Sequence, residues 1–122
     1  MAVPGRQVLV VDDDADIRSF VGDFLSDEGY QTRTAVDGGE ALEILGGWQP
    51  SVILLDLMMP EMDGWTFLAC QEADPELAHV PVIVISATYN LKRPTTTLSQ
   101  ATMLPKPFEI EQLLSLVERL TR

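Results

Sequence analysis

Short apolar runs alternate with helically spaced apolar residues along nearly the whole chain. Val8 to Val11 is apolar, β-branched and too short for a helix, so it reads as a buried strand. From Asp14 to Asp27, Ile17, Phe20, Val21, Phe24 and Leu25 recur at helical spacing on one face, and Gly29 supplies a stop. Gln31 to Ala35 is a more polar strand, suited to a sheet edge. Gly38 to Leu45 carries Ala41, Leu42 and Leu45 and reads as a short helix closed by Gly46-Gly47. Ser51 to Leu55, behind Pro50 and ending at Asp56, is the unbroken apolar run of a strand covered on both faces. Gly64 to Glu72 is a helix with Trp65, Phe67 and Leu68 as its apolar bulk, ended near Asp74-Pro75. Val82 to Ile85 is a fourth strand, and Ala101 to Leu104 a short fifth. The last helix, Glu109 to Leu120, opens after Pro107 and lines up Ile110, Leu113, Leu114, Val117 and Leu120.

Strands that alternate with helices imply an α/β fold: a five-stranded parallel sheet, doubly wound, with helices on both faces. In such sheets ligands bind beyond the carboxyl ends of the strands. That rule gathers the polar residues. Asp12 and Asp13 follow the first strand, Asp56 the third, Ser86 the fourth and Lys106 the fifth. Three carboxylates brought together repel one another, and a hard divalent cation relieves the repulsion. Mg2+ suits one or two carboxylates with a backbone carbonyl and retained water. Lys106 adds a mobile positive charge and Ser86 a hydroxyl. Cation, ammonium and hydroxyl are what a transferring phosphoryl group requires on its oxygens. Asp56 is the nucleophile placed to attack phosphorus and become an acyl phosphate. Taken singly, each residue has a plainer reading: the acids as helix caps or turn residues, Ser86 as a turn residue, Lys106 as a solvated charge.

Composition narrows the setting. A chain of 122 residues, 46% hydrophobic, holds one domain with a proper core, expected to span residues 1–122 with no output domain after it. Nineteen acids against 8 bases give a net charge of −11, which disfavours direct nucleic-acid binding. No apolar run nears the roughly 20 residues a membrane span needs. One cysteine, Cys70, excludes an internal disulfide and reads as a small core or boundary residue, and a reducing, cytoplasmic setting is expected.

The same residues resemble the receiver domains of two-component response regulators. Val8-Leu9-Val10-Val11-Asp12-Asp13-Asp14 is similar to that family's first strand and acidic pair. Asp56 to Gly64 resembles its phospho-acceptor loop almost letter for letter, Val84-Ile85-Ser86-Ala87 its hydroxyl switch, and Leu104-Pro105-Lys106-Pro107-Phe108 its Lys-Pro motif. The resemblance implies the flavodoxin-like strand order 2-1-3-4-5. It implies Asp56 as acceptor, and Asp12, Asp13, Asp56 and the backbone carbonyl of Met58 around Mg2+ (or Mn2+). Ser86 and Lys106 would hold the phosphoryl oxygens. It further implies a sensor histidine kinase, a phosphotransfer protein or a small acyl phosphate as donor, and an unspecified protein downstream. His79 precedes a strand at the far end and reads as a surface loop residue, not a donor. The start at Met1 and the short tail suggest a stand-alone regulator rather than an excised one.

Two stretches depart from the family. Between Thr88 and Met103, where a helix is usual, Pro94 would cost a helix interior about 3 kcal/mol. Thr95-Thr96-Thr97 adds little propensity, and Leu91 and Leu98 are too sparse for a stripe, so a shortened or irregular helix is expected. Met103 stands where receivers often carry an aromatic switch. Neither Thr88 nor Met58 offers a base to a hydrolytic water, which predicts an acyl phosphate lasting minutes or longer.

Three rival functions fit these residues less well. A haloacid-dehalogenase-like enzyme needs a second acid two residues after the nucleophile, where this chain has Met58. A flavin module needs a phosphate-cradling loop after the first strand, where Asp12-Asp13-Asp14 would repel phosphate. A receiver-like scaffold that takes no phosphate is opposed by the presence of Asp13, Asp56, Ser86 and Lys106 together.

Overall fold

The computed structural model describes residues 6–56, 64–86, 101–105 and 108–121, with the backbone alone at Gly64, Trp65, Ser86, Ala101, Met103 and Pro105. Nine elements follow in chain order: β1 (Gln7–Val11), α1 (Ala15–Asp27), β2 (Gln31–Ala35), α2 (Gly38–Leu45), β3 (Val52–Asp56), α3 (Gly64–Ala73), β4 (Val82–Ser86), β5 (Ala101–Pro105) and α4 (Ile110–Leu120). The strands form one sheet in the order β2-β1-β3-β4-β5, and the four pairings are all parallel. The five strands and the doubly wound order agree with the sequence reading. The irregular helix expected between Thr88 and Met103 lies outside the described residues, apart from the strand that begins at Ala101.

Alternation along the strands divides the core in two. Leu9, Val11, Ile53, Leu55, Val82 and Val84 face α2 and α3, where they meet Ala41, Leu45, Phe67 and Leu68. Val8, Val10, Val52, Leu54, Ile83 and Ile85 face the other way and meet Val21 and Leu25 of α1 and Leu113 and Val117 of α4. β3 is buried along its whole length, as its unbroken apolar run requires. β2 is one edge of the sheet and is largely exposed accordingly.

The helix ends follow from local chemistry. Asp14 caps α1, its Oδ1 accepting from the N–H groups of Asp16 (2.9 Å) and Ile17 (3.3 Å). At the other end the N–H of Tyr30 donates to Leu25 O and that of Gly29 to Ser26 O, both at 3.0 Å. This paired closure needs a left-handed residue between, and Gly29 takes φ 100°. α4 opens with the Gln112 side-chain oxygen accepting from the Glu109 N–H at 3.0 Å.

Phe20 and Cys70 depart from the helical readings, and Gln71 adds a position they did not cover. Phe20 is 58% exposed, because the buried line of α1 runs through Val21, Gly22 and Leu25 and leaves Phe20 on the opposite flank. Cys70 is exposed: α3 buries Phe67, Leu68 and Gln71, and Cys70 falls to one side of that arc. Gln71 is a polar residue in a core position. Its Nε2 donates to Leu77 O (2.6 Å) and Val80 O (3.2 Å) and so ties down the connection from α3 to β4.

Candidate functional site

The carboxyl ends of β1 and β3 carry the acids. Val11 is level with Leu55, so one further step along each strand sets Asp12 beside Asp56. Both are buried, at 2% and 6% exposure. Asp13 follows on the exposed side, and one oxygen from each of Asp12, Asp13 and Asp56 lies within 4.8 Å of the others. Asp56 is also level with Ile85, which puts the backbone of Ser86 one residue beyond it at the end of β4, opposite Pro105. Lys106 and Met58 lie outside the described residues.

Asp12 is held at several points. Its N–H donates to Ala35 O (3.1 Å), prolonging the ladder to β2. Its Oδ1 accepts from the Asp14 N–H (2.9 Å), and its carbonyl accepts from Arg18 Nη1 (2.7 Å). Asp14 lies beside the acids as the cap of α1, so the positive end of that helix moderates their mutual repulsion. Sequence reasoning missed Arg18. Its signal is a base one turn into a helix whose start is otherwise acidic, against the preference of the helix dipole.

Three hard oxygen donors at this separation fit a divalent cation such as Mg2+, which takes carboxylates and keeps water. The arrangement can gather a cation, an anionic nucleophile and an incoming anion at one sheet edge. His79 is remote from it, exposed in the turn before β4, its Nε2 3.2 Å from the Gln49 amide nitrogen. A hollow lined by Trp48, Gln49, Leu77 and His79 lies at that same far end, away from the acids.

A family model of the response regulator receiver domain matches residues 8–118. The chain belongs to this family. As a receiver domain it is a signalling domain of two-component systems. It is 38% identical over 116 residues to the sensor histidine kinase TmoS of Ectopseudomonas mendocina, covering 93% of this chain and 12% of that protein. It is 34% identical over 118 residues to the response regulator MprA of Mycolicibacterium vanbaalenii, covering 95% of this chain and 50% of the relative. The receiver therefore spans an eighth to a half of the length of these relatives. Among solved structures, chemotaxis protein CheY4 of Vibrio cholerae superposes with a TM-score of 0.86 at 32% identity, over 94% of this chain and 98% of that one. No helix among the described residues of this receiver is long and apolar enough to cross a membrane.

Proposed function

We propose that this receiver accepts a phosphoryl group on Asp56 in a reaction that requires Mg2+ or Mn2+. The observation that carries this reading is the triad of Asp12, Asp13 and Asp56 oxygens within 4.8 Å at the carboxyl edge of the sheet. Asp12, Asp13, Asp56 and the backbone carbonyl of Met58 hold the cation. The bound cation supplies charge neutralisation, so that an anionic carboxylate can approach an anionic phosphoryl group. An Asp56 oxygen attacks phosphorus as the bond from phosphorus to the donor breaks. The leaving group is an imidazole when a sensor histidine kinase or phosphotransfer protein donates, and a carboxylate when a small acyl phosphate does. Asp56 is nearly buried, which keeps bulk water from competing and holds the nucleophile still. Ser86, at the end of the neighbouring strand, and Lys106, just past β5, contact the phosphoryl oxygens. The receiver catalyses its own modification and its reversal, and acts on no further substrate.

Residues 1–122 work as one receiver unit in the reducing cytoplasm, and the modified form changes its affinity for a downstream protein. A few kcal/mol of differential affinity between the two states suffices for that. The alternative is an interaction scaffold that never carries phosphate. Incubation with acetyl phosphate and Mg2+ followed by intact mass measurement separates the two. One added phosphoryl group, not formed when chelator is present and absent in Asp56→Asn, is expected. No adduct, and no spectral response to beryllofluoride, would leave the scaffold as the better reading.

A further inference from the structure

The Arg18 guanidinium reaches the acidic cluster through its main chain: Nη1 donates to the carbonyl of Asp12 at 2.7 Å. We propose that Arg18 is a positioning residue for the acidic triad, setting the splay of Asp12 and Asp13 toward Asp56. The inference rests on the metal-binding reading above.

The peptide unit between Asp12 and Asp13 is planar, so holding its oxygen fixes the direction from one Cα to the next. That direction decides where Asp13 emerges. Asp12 itself is already held at its N–H by Ala35 and at Oδ1 by the Asp14 N–H. Arg18 supplies a further restraint, and its donor is a side chain outside the cluster that substitution can remove. Its own anchorage is firm: the Arg18 N–H closes the first turn of α1 on Asp14 O at 3.0 Å, and the side chain is half-buried. The bond therefore runs from a capped helix to the link between two metal-facing acids.

A plain strand-end role would also satisfy the Asp12 carbonyl, and the sign of one measurement tells the two apart. Arg18 is a cation near a cation site. On charge alone its removal tightens divalent binding, whereas lost positioning weakens it. Outer contacts that orient metal ligands are typically worth about 10- to 100-fold in affinity. Binding of Mn2+ to the full chain, read from the electron paramagnetic resonance signal of the free ion, is the test. Arg18→Met is expected to weaken binding about tenfold against its charge effect. Arg18→Lys keeps the charge on a shorter stem without the planar fork and is expected about threefold weaker than wild type. Unfolding in chelator is followed for each variant. Loss of stability with unchanged or tighter Mn2+ binding would overturn the proposal and leave Arg18 a structural strand cap. If Arg18→Met does not fold, Arg18→Lys decides alone, and binding equal to wild type overturns. Failure of the metal reading has its own signature: wild type depletes no free Mn2+, and neither does Asp13→Asn. That result overturns both.

Discussion

Replacing Asp56 by Asn should stabilise the metal-free protein while abolishing its modification. The perturbation removes one charge and keeps the side-chain shape and one acceptor oxygen. Asp12 and Asp56 are both nearly buried and their nearest oxygens are at most 4.8 Å apart. At an effective dielectric constant of about 20, two such charges repel by about 3.5 kcal/mol. Water on the Asp13 side, the positive end of α1 and the carboxylates' own partners reduce that, so the expected gain is about 1–2 kcal/mol. Urea unfolding of both proteins in chelator gives the difference directly, read from the midpoint at constant slope. Mg2+ should then narrow the gap. At a concentration ten times its dissociation constant it stabilises wild type by about 1.4 kcal/mol and Asp56→Asn by less. Added sodium chloride should change the metal-free gap only slightly, because buried pairs are poorly screened. An Asp56→Asn protein equal to or less stable than wild type in chelator would refute the reasoning. It would mean that the three acids are not held together against their own charge.

Other substitutions test the frame around the site. Gln71→Leu strands the carbonyls of Leu77 and Val80, at about 1–3 kcal/mol each, and removes a buried Oε1 with no hydrogen-bond partner among the described residues. The net expected loss is about 2 kcal/mol by urea unfolding, and a neutral result would refute the anchoring role of Gln71. Gly22→Ala should stabilise by up to about 1 kcal/mol, since the new Cβ meets Thr34 Cγ2 at an ordinary 3.6 Å and helix propensity improves. A fall in melting temperature would show that the approach of α1 to β2 tolerates no added methyl. Gly29→Ala should cost about 1 kcal/mol, because φ 100° is strained for any residue with a Cβ. Melting temperatures of the pair check it, and an unchanged value would refute the closure described for α1.

The frame of this domain is legible in its sequence because each strand has one unambiguous pattern. Val8 to Val11 and Ser51 to Asp56 cannot form helices of useful length and are too apolar for an edge, so they must lie side by side inside a parallel sheet. Once they do, the acids at their ends meet without any further assumption. What periodicity could not supply is how far each helix is rolled. Phe20 and Val21 are adjacent and both apolar, and a modest rotation of α1 decides which one faces the core. Gln71 went unremarked because no pattern announces a buried amide whose partners are carbonyls six and nine residues onward. Arg18 escaped for a related reason: its partner is a main-chain oxygen, which has no letter in the sequence.

The position of Asp56 at the end of the central, fully buried strand has a consequence for time rather than space. Amides deep in such a strand have no local opening that exposes them, so their deuterium exchange proceeds through unfolding of the whole domain. The amides of Ile53, Leu54 and Leu55 would then act as a clock wound by global stability, running in the same molecule that carries the acceptor. If Asp56 is the acceptor, it is mounted on a strand expected to exchange among the slowest of the described residues.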